Sequence, residues 1–233
     1  AAGMLAEMGG IMSKHVFAVL FVVLLFSWPG TAAAQSDALT RAFQQYQALE
    51  KQGRYAEAER FARKALELGE QEFGPEHPTA AIFLNNLALL YWGQARYAHA
   101  EPLLKRALAI VEKAFGPEHL DVAIDLNNLA MLYQAQGRYS KAEPLHKRAL
   151  AIREKALGPD HPDVGQSLNN LAGLYQAQGR YADAEPLFKR SLAIKEKAHG
   201  PEHPNVALGL NNLALLYHAQ GRYAAAEPLY KRA

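Results

Sequence analysis

The chain has 233 residues, half of them hydrophobic, and carries 25 Lys and Arg against 23 Asp and Glu for a net charge of +2. It has no cysteine, which excludes disulfides, thiolate metal ligands, thiol nucleophiles and lipid attachment through sulfur. The basic residues are interleaved with Glu and form no block, so no nucleic-acid footprint is expected.

Residues 1–11 carry no clear pattern, and Met12 reads as a start. Ser13-Lys14-His15 is short and basic. Val16 to Trp28 is an apolar run of 13 residues, followed by Pro29-Gly30 and by Ala32-Ala33-Ala34. These are the three parts of a secretory signal peptide, with cleavage expected after Ala34. The run is shorter than the roughly 20 apolar residues that span a bilayer. Residues 1–34 are therefore expected to be an N-terminal extension plus signal peptide. The mature chain is expected to be exported, periplasmic or secreted, with no membrane contact after cleavage. A retained anchor is the alternative.

From Ser36 the pattern becomes helical and periodic. Asn-Asn-Leu-Ala recurs at Asn85, Asn127, Asn169 and Asn211, and Arg-Tyr at Arg54, Arg96, Arg138, Arg180 and Arg222, each time 42 residues on. A fixed period of this size marks a stacked solenoid. The repeats fall at about 37–73, 78–115, 120–157, 162–199 and 204–233, the last cut at Ala233, so the chain reads as part of a longer one. Repeat 1 diverges: it has Leu49 in register with the later Tyr and Arg60 in register with the later Pro, as terminal repeats often do.

Each repeat holds two helices. In repeat 3 the first is expected from about Asp121 to Gln136. Leu126, Leu129, Ala130 and Tyr133 form one amphipathic stripe. Gly137 ends it in the left-handed conformation, and Ala95 in register costs about 1 kcal/mol if the backbone is kept. The second helix is expected from Tyr139 to Leu157, with Ala142, Leu145, Ala149, Leu150 and Ile152 inward and Pro144 near the first turn. Ala130 and Ala142 are small enough to let the axes approach to about 8 Å. Gly158-Pro159-Asp160-His161-Pro162 breaks the chain before the next repeat.

Repeat 4 carries Leu171, Ala172, Tyr175, Ala184 and Phe188, with Ser191 at a position usually alanine; repeat 3 has Ala149 there and His146 for the aromatic. This pattern resembles the tetratricopeptide repeat. That family's unit is roughly 34 residues. The longer unit here, with Ala-Glu-Pro-Leu, Lys-Arg-Ala-Leu-Ala-Ile and Gly-Pro-Glu-His-Pro, is similar to that of kinesin light chains and their bacterial relatives. The resemblance implies an all-α, right-handed α–α superhelix of antiparallel helix pairs. It implies a concave groove lined by the first helices, which binds peptides or protein segments.

On that expectation the groove residues are Asn85, Leu89 and Trp92, then Asn127, Met131 and Gln134, then Asn169, Gly173 and Gln176, then Asn211, Leu215 and His218. An asparagine amide both donates and accepts, which suits the backbone of an extended peptide. The second asparagines (Asn86, Asn128, Asn170, Asn212) are expected to hold the stack. No Lys or Arg falls in these sets, which argues against a ligand held by its C-terminal carboxylate. Trp92 is the expected hot spot.

The recurring His77, His119, His161 and His203 are expected to be turn residues rather than metal ligands. Equivalent positions sit about 10 Å apart, too far to share zinc. Glu101, Glu143, Glu185 and Glu227 suit a helix N-terminus. Lys105-Arg106 and its copies are expected on a solvated outer face. No phosphate loop or nucleophile elbow is found. The expectation is a non-catalytic protein-interaction scaffold with no cofactor and no metal. Its partner is a protein or peptide, and self-association through the end repeats is open. An interaction module of a larger protein with a catalytic or signalling domain beyond Ala233 is the alternative.

Overall fold

The computed structural model describes residues 36–233. Met12, the apolar run Val16–Trp28 and the cleavage position after Ala34 lie outside the described residues. The described chain is ten helices: α1 (Asp37–Lys51), α2 (Tyr55–Phe73), α3 (Pro78–Gly93), α4 (Tyr97–Phe115), α5 (Leu120–Ala135), α6 (Tyr139–Leu157), α7 (Pro162–Ala177), α8 (Tyr181–His199), α9 (Pro204–Ala219) and α10 (Tyr223–Arg232). Odd-numbered helices open a repeat and even-numbered ones close it. Each packs on its two neighbours in sequence, and α3 also touches α5. The architecture is an all-α solenoid. Its core is one long seam: Leu87, Leu129, Leu171 and Leu213 belong to a single buried cluster with Ala100, Ala142, Ala184 and Ala226. Ala130 and Ala142 are fully covered, as the close approach of paired helices requires.

The turn inside each repeat is built on one left-handed residue. Gly137 has φ of 70°, and Arg138 N–H bonds back to Tyr133 O at 2.8 Å. Ala95 takes the same conformation at φ 57°, and Arg96 closes the same bond to Tyr91 at 2.8 Å. A Cβ is strained there. Ala95→Gly is therefore expected to raise stability by about 1 kcal/mol, read as a higher urea midpoint with unchanged slope.

The recurring histidines start the first helices. His77, His119, His161 and His203 are the N-caps of α3, α5, α7 and α9. In α5, α7 and α9 the Nδ1 accepts from the backbone N–H two residues on at 3.1–3.2 Å. The spacing read in the sequence is thus a capping pattern.

Pro144 is a correction. It lies at the sixth residue of α6, past the first turn, as do Pro102, Pro186 and Pro228 in their helices. The helix starts at Tyr139 with no side-chain cap, so proline falls in the second turn. The carbonyl it deprives belongs to Ser140, which is exposed, so water can bond it.

Repeats are joined by polar nodes as well as by the seam. Glu143 Oε1 accepts from the Tyr175 hydroxyl at 3.2 Å and Oε2 from Arg180 at 2.8 Å, while Lys147 lies at 2.7 Å. The same node recurs at Glu59, Glu101 and Glu185 with the Tyr and Arg of the following repeat. Each Arg also stacks over that Tyr ring, at 4.0 Å for Arg180 on Tyr175. The ammonium of Lys105, aided by Arg138 and Tyr133, holds Glu101 at about 2 despite partial burial. Glu185 is held at about 2 in the same way by Lys189, Arg222 and Tyr217. The Lys-Arg pairs are a second correction. Both residues stay on the outer face, the arginine side chains of repeats 2–4 at 38–40% exposure, but the arginines also tie repeats together. Arg106 reaches the preceding repeat, to Glu70 at 2.6 Å and Pro75 O at 2.8 Å, and Arg148 and Arg190 do the same.

Large and small residues also alternate across the seams. A Cβ on Gly69 of α2 would lie 2.6 Å from the Phe83 ring of α3. Two repeats on, Arg153 meets Ser167 at 2.9 Å. Ala38, Arg41, Gln45 and Ala48 are exposed on α1, in register with Val122, Asp125, Leu129 and Leu132, which are buried against the preceding repeat. A polar outer face of this kind is what a capping repeat needs.

Candidate binding face

The first helices lie side by side and share an Asn ladder. Asn128 Nδ2 donates to Asn85 Oδ1 at 3.3 Å, Asn170 to Asn127 at 2.8 Å and Asn212 to Asn169 at 2.9 Å. The second asparagine of each pair donates to the first asparagine of the repeat before. The ladder stops at repeat 1, where Phe43 stands in register with Asn85. The Nδ2 of Asn86, which would donate there, is buried without a partner among the described residues.

The ladder divides the predicted site residues. Asn85 and Asn169 are 3% and 5% exposed. Asn85 is fully engaged, donating to Ala81 O at 3.0 Å and to Asp125 Oδ1 at 2.7 Å. Asn127 and Asn211 are half-buried; Asn127 Nδ2 donates to Met131 Sδ at 3.5 Å and its Oδ1 accepts from Asn170. Leu89, Trp92, Met131, Gln134, Gly173, Gln176 and Leu215 are half-buried on the same stripe, and His218 is exposed.

Two neighbouring first helices enclose a shallow cleft. Leu89 and Trp92 of α3, Asn128 and Met131 of α5, and Leu104 of α4 line a tight crease with no room for a water molecule. Here the structure brings three predicted residues together and adds Leu104 as the floor. A further column was legible but missed. Ile82, Ile124, Gln166 and Leu208 lie seven residues before Leu89, Met131, Gly173 and Leu215, hence on the same stripe. Leu208 is 45% exposed, uncommon for leucine in a packed helix.

Two titratable groups are buried beneath this face. Asp125 is pushed up to about 7, first by burial and then by Asp121 and Glu112, against the opposing amide of Asn85. His146 is pushed down to about 4, by burial and then by Arg153. Among the described residues no group of three or more His, Cys, Asp or Glu is placed to hold a metal ion. No helix among them is long and apolar enough to cross a membrane.

Known structures show the same stack. The kinesin light chain nearly identical TPR-like repeats of Podosopora anserina align with a TM-score of 0.70 and 28% identity, over 83% of this chain and 92% of that one. BtubC (BKLC) from P. vanneervenii aligns at 0.69 and 24% identity, over 86% and 89%. PilF of Pseudomonas aeruginosa aligns at 0.60 and 22% identity, over 85% and 76%, which speaks to fold alone. No curated protein sequence matches. The family model described as Tetratricopeptide repeat matches residues 47–113, 84–155, 121–197 and 163–233, four overlapping matches that cover the helix pairs. The chain belongs to the tetratricopeptide repeat family, in its kinesin light chain-like form.

Proposed function

We propose that the chain is a non-catalytic protein-interaction scaffold that binds a peptide or protein segment along the face shared by its first helices. Tetratricopeptide repeats generally mediate protein–protein interaction. The observation that carries the finer reading is the cleft of Leu89, Trp92, Leu104, Asn128 and Met131. It leaves apolar side chains half-covered between two helices, where the rest of the seam covers them fully. A ligand side chain lying across it covers the exposed parts of Leu89 and Met131 and packs against Trp92. Asn211 is the half-buried first asparagine outside the ladder and the one we assign to a ligand backbone. The absence of Lys and Arg from this stripe favours an internal segment over a free C-terminus. The apolar run followed by small residues before Ser36 supports export, with the scaffold working outside the cytoplasm.

The test uses a display library of random 12-residue peptides selected on the whole chain. Leu89→Ser with Met131→Ser is expected to weaken selected peptides at least tenfold while the fold melts within a few degrees of wild type, since both side chains are already half-exposed. Equal affinity in the variant would remove the face as the binding site.

A further inference from the structure

Each repeat inside the described stack seats the first helix of the next one, and repeat 5 holds the same seat uncovered. Tyr230 of α10 stands in register with Leu104, His146 and Phe188. Those three are 1–3% exposed, whereas Tyr230 is 39% exposed. Tyr223 is 62% exposed, while Tyr97, Tyr139 and Tyr181 in register are half-buried. Glu227 stands in register with the node carboxylates Glu59, Glu101, Glu143 and Glu185. Their side chains are 19–22% exposed, and each accepts from an Arg of the following repeat. That of Glu227 is 66% exposed and, among the described residues, pairs only with Lys231 of its own helix at 2.6 Å. His218, Tyr223, Ala226, Glu227, Tyr230 and Lys231 line an open hollow of about 330 Å³. Trp92 and Leu104, in register with His218 and Tyr230, are instead met by Asn128 and Met131 of α5. The hollow thus has the form of a seat for a first helix.

We propose that this seat takes α1 of a second copy of the chain, so that copies join head to tail. Carrying the repeat-to-repeat offsets one step past repeat 5 lands on repeat 1 of the incoming copy. Asn128 and Met131 correspond there to Gln44 and Gln47, which fill the hollow beside Tyr230. The arginine that lies 37 residues past each node carboxylate corresponds to Arg54, which reaches Glu227. The Arg54 side chain is 52% exposed, and its ion pair among the described residues is with Glu57, one turn away. Arg180 shows that one guanidinium can serve both partners. It bonds Glu143 of the preceding repeat and also Asp183, in register with Glu57. Exposed Gln44 takes the place of the second asparagine. It donates to Asn211 Oδ1 as Asn212 donates to Asn169, which leaves Asn211 Nδ2 for a ligand. Ala38 and Ala48, exposed on the same side of α1, are small enough to let the helices approach.

One contact of the internal seams is missing. Leu49 stands where the later repeats carry the tyrosine whose hydroxyl reaches the node carboxylate. The joint is therefore weaker than an internal seam and separates on dilution, and the polar face of α1 stays soluble when free. A head-to-tail contact that continues a solenoid does not close on itself, so it builds open chains rather than a fixed dimer. The face shared by the first helices then runs on from one copy to the next.

The test is sedimentation velocity of the whole chain over a range of concentrations. Wild type is compared with Glu227→Arg, with Arg54→Glu and with an equimolar mixture of the two variants. Wild type is expected to show a series of species that grows with concentration. Each variant alone sets like charges against each other at the joint and should associate at least tenfold more weakly. Both side chains are more than half exposed, so each variant should melt within a few degrees of wild type. The mixture should recover the association, because Arg54 of one variant meets Glu227 of the other. Monomers at every concentration of wild type would overturn the proposal. Association that Arg54→Glu leaves intact would overturn it as well, since two repeat-5 ends would then be meeting each other. A mixture no stronger than the separate variants would remove the pairing on which the proposal rests.

Discussion

His146→Leu is expected to raise stability at pH 7 by about 1–3 kcal/mol and to make a fold that is indifferent to mild acid gain stability from it. The gain at neutral pH comes from replacing an unpaired buried ring by the side chain that fills the same position at Leu104. The acid response follows from two buried groups whose shifts oppose each other. His146 lies at about 4 in the folded chain, below its ordinary 6.5. Its contribution is complete above 6.5 and is lost as pH falls toward 4, because the unfolded chain takes a proton the folded chain refuses. Asp125 lies at about 7 against an ordinary 3.8. Its contribution is complete below 3.8 and is lost as pH rises toward 7. In the window between about 4 and 6.5 the two slopes cancel in the wild type. His146→Leu leaves only Asp125, so this variant gains on wild type as the solution is acidified through the window, by about 3 kcal/mol at most. Asp125→Asn leaves only His146 and loses a similar amount. Urea unfolding of all three chains at half-unit steps from pH 4 to 7 checks this. Variant curves that stay parallel to wild type would show that neither group is held as the buried geometry implies.

Glu143→Ala is expected to cost about 2 kcal/mol and to loosen one seam of the stack. The carboxylate is the shared acceptor for Tyr175 and Arg180 of the next repeat and lies beside Lys147 of its own helix. Its side chain is 22% exposed and that of Arg180 39%, so the ion pairs are partly screened and most of the loss lies in the hydrogen bonds. In a stack where repeats touch only their neighbours, the damage stays local. Amide exchange should speed up in α7 and in the first half of α6, with α1 and α2 unchanged. Glu57→Ala is the control. That carboxylate pairs with Arg54 across one turn, both more than half exposed, and its loss should leave the urea midpoint where it is. Equal losses at the two sites would mean that the nodes do not couple repeats.

The parts of this structure that depend on one repeat were readable in the sequence. The period, the helix pair, the left-handed residue at Gly137 and Ala95, and the alanines of the seam all follow from local pattern. The family resemblance followed too, because its motif is also local. What was missed depends on the phase of stacking. The node joins Glu143 to residues 32 and 37 positions away, and the Asn ladder joins residues 43 apart. Those offsets mean nothing until one repeat is set on the next. The Lys-Arg pairs looked equivalent for the same reason, since only the stack tells Arg106 from Lys105. Pro144 was misplaced even though the start of α6 at Tyr139 was legible: counted from there it is the sixth residue, past the first turn. On the binding face, Leu89, Trp92 and Met131 came from helical spacing. The burial of Asn85 came from Asp125 below it, which no periodicity announces. The Ile82 column was available to the same spacing rule, seven residues upstream.

The central claim is that residues from successive first helices act as one continuous recognition face. Amide and methyl shift mapping of the whole chain with a library-selected peptide tests it most directly. The account predicts perturbations running in sequence along Leu89, Trp92, Met131, Gly173 and Leu215, with the outward residues of the second helices silent. Shifts confined to one repeat, or centred on the exposed residues of α4, α6 and α8, would contradict it.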